Sequence, residues 1–341
     1  MSLPDYQFLS APLWLVTTLH MVTLTLHFVA MNFLLGGVLI VLYAALRKQW
    51  SDPALLKFAR LFPSAMAATV TLGVAPLLFV QLVYHRQIYS AAIISGWAWL
   101  GIIGAVIVAY YALYRTTLRG DRTGRLSLAA LGLALVGLVY VSFAYSSIFS
   151  MAEHPGLMHS LYAGNQSGLV WNPQIGDYLL RWSHMVLGAV TVGGFFIGLL
   201  GRDESAAYQT GKQFFVGGMV LAALAGMGYT LSLLPILPAL MKNPAIWALT
   251  LALLLSLGSL HFFFKKNFVG AGAMLFVSML GMVYTRHTAR MLQLSGAFEP
   301  SSLRIATQWS PFILFLLCFV IMLVVVAWML RLFFGAQQTA A

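Results

Sequence analysis

The sequence predicts an all-α integral membrane protein, a bundle of nine transmembrane helices forming one domain over residues 1–341. Two observations carry this. The chain is 61% hydrophobic and only 8% charged, where a soluble domain carries about 25% charged residues. It also contains nine apolar runs that meet the roughly 20 residues needed to cross a bilayer. No soluble domain, low-complexity tract or short-period repeat interrupts them. The first ten residues hold no Lys or Arg, and the first apolar run is too long for a secretory signal, so no signal peptide is expected.

The runs follow in order. Span 1, 12–46, carries His20 and His27 and is long enough to tilt or to project beyond the bilayer. Span 2, 58–84, runs into His85 and Arg86, and span 3 covers 91–114, up to Arg115. Span 4, 126–150, starts after Arg125 and leads into the longest loop, 151–177, which holds His154, His159 and the Trp171–Pro173 turn. Span 5, 178–201, carries His184 near its start and closes on Arg202. Spans 6 and 7, at 214–240 and 244–264, flank a short Lys242 loop, and Lys265 and Lys266 separate span 7 from span 8 at 267–290. Span 9, 309–334, holds Cys318, the single cysteine. One cysteine excludes an internal disulfide, a CxxCH haem attachment and a thiolate cluster, so any haem is non-covalent.

Basic residues set the orientation. Arg47, Lys48, Lys57, Arg60, Arg115, Arg119, Arg122, Arg125, Arg202, Lys212, Lys265, Lys266 and Arg331 fall on one side. Only Arg86, Arg181, Lys242, Arg286, Arg290 and Arg304 fall on the other. The richer side is the cytoplasmic one, which puts the N-terminus outside, the C-terminus inside and the 151–177 loop outside. The net charge of +11 follows from this asymmetry, and no nucleic-acid partner is implied.

With that orientation, seven of the eight histidines fall in the outer half or beyond it, and only His261 lies near the cytoplasm. The pattern suggests redox centres gathered near the outer face. A neutral imidazole in a bilayer needs partners for its ring nitrogens, and a metal is one such partner. His184 has Gly188 one turn away, leaving a bare helix side beside the imidazole where a porphyrin could lie. Gly188, Gly193, Gly194 and Gly198 are equally readable as helix-packing glycines, with His184 a packing histidine. His20 and His27 lie seven residues apart, about 10 Å by helix rise and on nearly one face. They read either as haem ligands or as structural hydrogen-bonding groups. His287 sits between Arg286 and Arg290, whose guanidiniums suit haem propionates but also serve as interfacial anchors. His85, His154, His159 and His261 read as solvated or interfacial. The acids Asp5, Asp52, Asp121, Glu153, Asp177, Asp203, Glu204 and Glu299 all read as loop or helix-end positions. A proton path through the membrane, which commonly uses buried carboxylates, would therefore need hydroxyls, His and water.

At span 5, NPQIGDYLLRWSHMVLGAVTVGGFFIGLLGR resembles a segment of subunit I of the cytochrome bd quinol oxidase family. The resemblance implies that His184 is an axial ligand of a low-spin haem b. LWLVTTLHMVTLTL resembles the family's first helix, with His20 at the position of a high-spin haem ligand, and TLGVAPLLFVQLVYHRQIY resembles the second, with Gly73 and Gln81 in place. The chain departs from the family elsewhere. SGWAWLGIIG lacks the acidic residue of span 3, and YTRHTARM carries Arg286 or His287 where many members have a haem-site Glu. No methionine ligand is visible in span 7, and the quinol-binding loop between spans 6 and 7 is cut to PALMKNP.

The expectation is a bd-like, haem b-containing subunit of a respiratory complex in the bacterial cytoplasmic (inner) membrane. It would carry more than one haem and pass electrons between the quinone pool, menaquinol or ubiquinol, and an outer-face partner. That partner would be a second bd-like membrane subunit or a periplasmic multihaem cytochrome c. His184 and His20 are the first-choice ligands, His27 and His287 the candidates for the opposite positions, and Arg181, Arg286 and Arg290 the candidate propionate partners. The rivals are a quinol:O₂ oxidase of the bd type and a non-redox membrane scaffold.

Overall fold

A computed structural model of the protein describes residues 8–47, 53–118, 124–203 and 205–339. Lys48, Arg119, Arg122, Asp5, Asp52, Asp121 and Glu204 lie outside the described residues. The chain forms two compact units, Thr17–Pro300 and a smaller one of Met1–Val16 with Ser301–Ala341.

The larger unit is built almost entirely of helices, because a helix pairs its own backbone groups where no water can. α1 (Leu13–Leu46) runs without a break over 34 residues. Next come α2 (Pro53–Ala59) and α3 (Phe62–Val83), which together make one apolar path. The chain turns at Tyr84, whose φ of −113° and ψ of 35° leave the helical region, and continues as α4 (His85–Ile94) and α5 (Gly96–Leu118). α6 (Arg125–Met151) leads to a loop containing α7 (Pro155–Gly164), and α8 (Ile175–Leu200) returns. α9 (Ser205–Ser232), α10 (Leu237–Met241), α11 (Ala245–Phe264) and α12 (Phe268–Leu294) complete the unit.

Among the described residues, eight helices are long and apolar enough to cross a membrane. Large apolar side chains such as Trp247 (75% exposed) and Tyr111 (74%) face outward, as expected where the surrounding solvent is lipid. The eight match spans 1 to 8, with differences at the ends. Span 2 starts earlier, at Pro53, and is interrupted at Arg60–Leu61, between α2 and α3. Span 6 ends earlier, at Ser232, because Pro235 and Pro238 each lack the N–H that would continue the ladder.

Small residues bring the helices together. A Cβ on Gly36 of α1 would collide with the Ala189 carbonyl of α8, and one on Gly193 would lie 2.7 Å from the Gly36 carbonyl carbon. The two backbones therefore touch at this crossing. Gly194 of α8 and Gly211 of α9 make the same kind of approach between successive helices. Of the four glycines after His184, the packing reading thus holds for Gly193 and Gly194, and for Gly198, which packs on the Phe263 ring. Gly188 has nothing within 4 Å of a Cβ position.

The smaller unit pairs β1 (Phe8–Leu9) in parallel with β2 (Arg304–Ile305) and contains α13 (Trp309–Thr339), which carries the apolar run read as span 9.

Candidate functional site

Three candidate histidines share one arrangement. His20 on α1 places Nδ1 3.0 Å from the Pro76 carbonyl of α3. His27, two turns on, places Nδ1 3.0 Å from the Thr69 carbonyl of the same helix. His184 on α8 places Nδ1 2.8 Å from the Ala222 carbonyl of α9. A carbonyl can only accept, so in each neutral ring Nδ1 carries the proton and Nε2 keeps its lone pair. This is the support that a metal-ligating histidine needs from its surroundings, since it fixes both tautomer and ring orientation. Glycine makes room for two of the rings. A Cβ on Gly226 would lie 2.9 Å from His184 Nδ1, and one on Gly73 would lie 2.9 Å from His27 Cε1.

His287 on α12 differs. Its Nδ1 is buried without a hydrogen-bond partner, and the residue is 8% exposed. Its ring centre lies 6.3 Å from that of His20, with 53° between the planes. Two imidazoles on opposite sides of one metal ion, each nitrogen about 2 Å from it, have ring centres about 6 Å apart. The structure thus brings His20 and His287 together, from helices more than 260 residues apart in the chain. His27 and His184 are held separately, by their own carbonyls. Among the described residues no three His, Cys, Asp or Glu side chains converge as a site for a bare ion. A porphyrin supplies four ring nitrogens itself, so one or two histidines suffice to hold its iron.

The three candidate arginines also converge, on a residue that the sequence reading left in a loop. Glu153, just past α6, is 2% exposed. Arg181 Nη1 of α8 donates to its Oε2 at 3.1 Å, Arg290 Nε of α12 donates to its Oε1 at 3.2 Å, and Arg286 of α12 donates to the same oxygen. Arg181 also donates to the Ser146 carbonyl at 2.7 Å, and Arg286 to Gln293 Oε1 at 3.0 Å. Burial alone would push the Glu153 carboxyl up, but Arg286, Arg181 and Arg290 outweigh it and hold it down at about 2. Glu153 is therefore an ionised counter-ion at neutral pH and not a proton donor. Nothing in the spacing could reveal it, since its partners lie 28, 133 and 137 residues away. The available signal was that three outer-side arginines at helix ends need a nearby acid.

Tyr84 joins the two groups. Its ring lies 6.5 Å from His287 and 5.7 Å from the Arg290 guanidinium carbon. Of the other histidines, His154 turns Nδ1 to the Ser150 carbonyl of its own segment, and His159 and His261 are exposed.

The arrangement is that of a membrane helix bundle in which two buried histidines, His20 and His287, stand close to a buried arginine group. No protein-family model matches the chain, and none of the curated proteins compared with it matches.

Proposed function

We propose that this chain is a haem b-binding membrane subunit, similar to subunit I of the cytochrome bd family, that passes electrons between the quinone pool and a partner at the outer face of a bacterial inner membrane. In this reading α13 is the ninth span, the N-terminus is outside and the C-terminus cytoplasmic. The observation that carries it is the His20–His287 pair, 6.3 Å apart, with the His20 tautomer set by Pro76. Bound there, a haem would supply one-electron chemistry. His20 and His287 would hold its iron, and Arg181, Arg286 and Arg290 would bind its propionates. His184, with Nδ1 committed to the Ala222 carbonyl and the Gly188 side open, would ligate a second haem.

The oxidase rival needs an open iron position and a proton supply. His287 opposite His20 would fill that position, and Glu153 is held ionised by three guanidiniums. Both favour electron transfer over O₂ reduction. A reduced-minus-oxidised optical spectrum of the purified chain tests the reading. Low-spin b bands are the expected result, a high-spin or chlorin band would favour the oxidase, and a spectrum without haem would leave a scaffold.

A further inference from the structure

The arginine group holds more positive charge than the carboxylate it encloses. Among the described side chains, Arg181, Arg286 and Arg290 share the single carboxylate of Glu153, an excess of two positive charges. Arg181 and Arg290 are each 8% exposed, so water does not disperse that excess. Around them stand polar groups with nothing to bond. Tyr84, 2% exposed, has no partner for its hydroxyl, and the Tyr229 hydroxyl and His287 Nδ1 are likewise buried and unpartnered. The Arg286 guanidinium carbon lies 6.0 Å from the Tyr229 ring centre, as Arg290 does at 5.7 Å over Tyr84. A guanidinium has five N–H groups, and Arg290 spends only its Nε on Glu153. Orphaned buried polar groups of this kind mark a missing partner. Among the described side chains the positive charge at this cluster exceeds the negative, and the unpartnered Tyr84 and Tyr229 hydroxyls can donate hydrogen bonds.

We propose that this cluster is a binding site for a second anion, a dianionic oxygen ligand of the carboxylate-pair or phosphate class. Glu153 is the built-in counter-ion that gathers the three arginines from two helices and leaves the terminal N–H groups of Arg290 for the ligand. The inference rests on the haem reading for one source of that ligand only, the two propionates of a porphyrin held by His20 and His287. The other source is free phosphate. Arg–oxyanion recognition is the same chemistry in either case.

The test uses the full chain in detergent, haem-free and reconstituted with iron protoporphyrin IX or with its dimethyl ester, whose propionates carry no charge. If the propionates occupy the site, the ester binds roughly tenfold weaker or worse, the loss of at least one charge-assisted contact. That gap shrinks in Arg290→Gln. It also shrinks in Tyr84→Phe, which removes one unpartnered hydroxyl and keeps the fold should Arg290→Gln not accumulate. If acid and ester bind alike, but inorganic phosphate raises the Tm of haem-free wild type and not of Tyr84→Phe, the site stands with free phosphate as its ligand. The same phosphate effect in a chain that binds no haem at all keeps the site and sinks the haem reading. Haem binding that is indifferent to esterification, with no phosphate effect, overturns the site and leaves the haem reading intact. Neither haem binding nor a phosphate effect overturns both.

Discussion

Replacing Glu153 by Gln keeps the shape and the hydrogen-bonding oxygen but removes the charge that three buried guanidiniums share. Two routes give the size of the effect. Breaking a buried ion pair by removing one partner costs about 3–5 kcal/mol, because the remaining charge is left uncompensated. Independently, the carboxyl held at about 2 rather than 4.5 corresponds to roughly 3 kcal/mol at about 1.36 kcal/mol per pH unit. The expected loss at pH 7 is therefore about 3 kcal/mol, read as a shift in the SDS-driven unfolding transition in mixed micelles, followed by tryptophan fluorescence. The sign with pH follows from the depressed folded-state value. The Glu153 contribution is fully present above about 4.5 and fades as pH falls towards 2, so wild type and Glu153→Gln converge in acid. Glu153→Asp, which keeps the charge on a shorter stem, should fall between them. Unfolding of Glu153→Gln within about 0.5 kcal/mol of wild type at pH 7, the range of an ordinary surface change, or a gap between the two that widens on acidification, would refute this role for Glu153.

Further outcomes follow from the same geometry. His184→Ala is expected to abolish a low-spin b signal while the chain still inserts, and Gly226→Val, whose side chain would meet the His184 ring, should perturb that signal; an unchanged spectrum in both variants would remove His184 from the ligand set. In a Cys318→Ser background, a cysteine at Asn165 should label from outside the cell and one at Lys265 should not, and the reverse pattern would invert the orientation. The haem-loaded chain should lack appreciable quinol:O₂ activity; rapid, cyanide-sensitive oxygen uptake would contradict this and turn attention to a proton route through Thr71, Ser95 and Thr285.

Much of the fold was legible because hydrophobic length is a local property. Among the described residues, eight of the nine apolar runs are helices long enough to span, and span 6 ends early where the prolines after Ser232 override composition. The site was legible in its parts and not in its connections. His20, His287 and the three arginines were all candidates, but contacts between helices are set by packing, and spacing along one helix carries no information about them. Glu153 was lost for the same reason. In sequence it is one acid at a helix end, and only tertiary packing makes it the carboxylate that Arg181, Arg286 and Arg290 enclose. The glycines after His184 could be read either way, and the structure divides them: Gly193, Gly194 and Gly198 pack against other elements, and Gly188 opens onto free space.

The central claim is that His20 and His287 hold one haem between them. The most direct measurement is the reduced-minus-oxidised spectrum, with haem content per chain, of wild type, His20→Ala and His287→Ala. Wild type is expected to show a six-coordinate low-spin b band that either substitution converts to a five-coordinate high-spin form or abolishes, with the two variants affecting the same band. A purified chain without haem, or a spectrum that both substitutions leave unchanged, would contradict it.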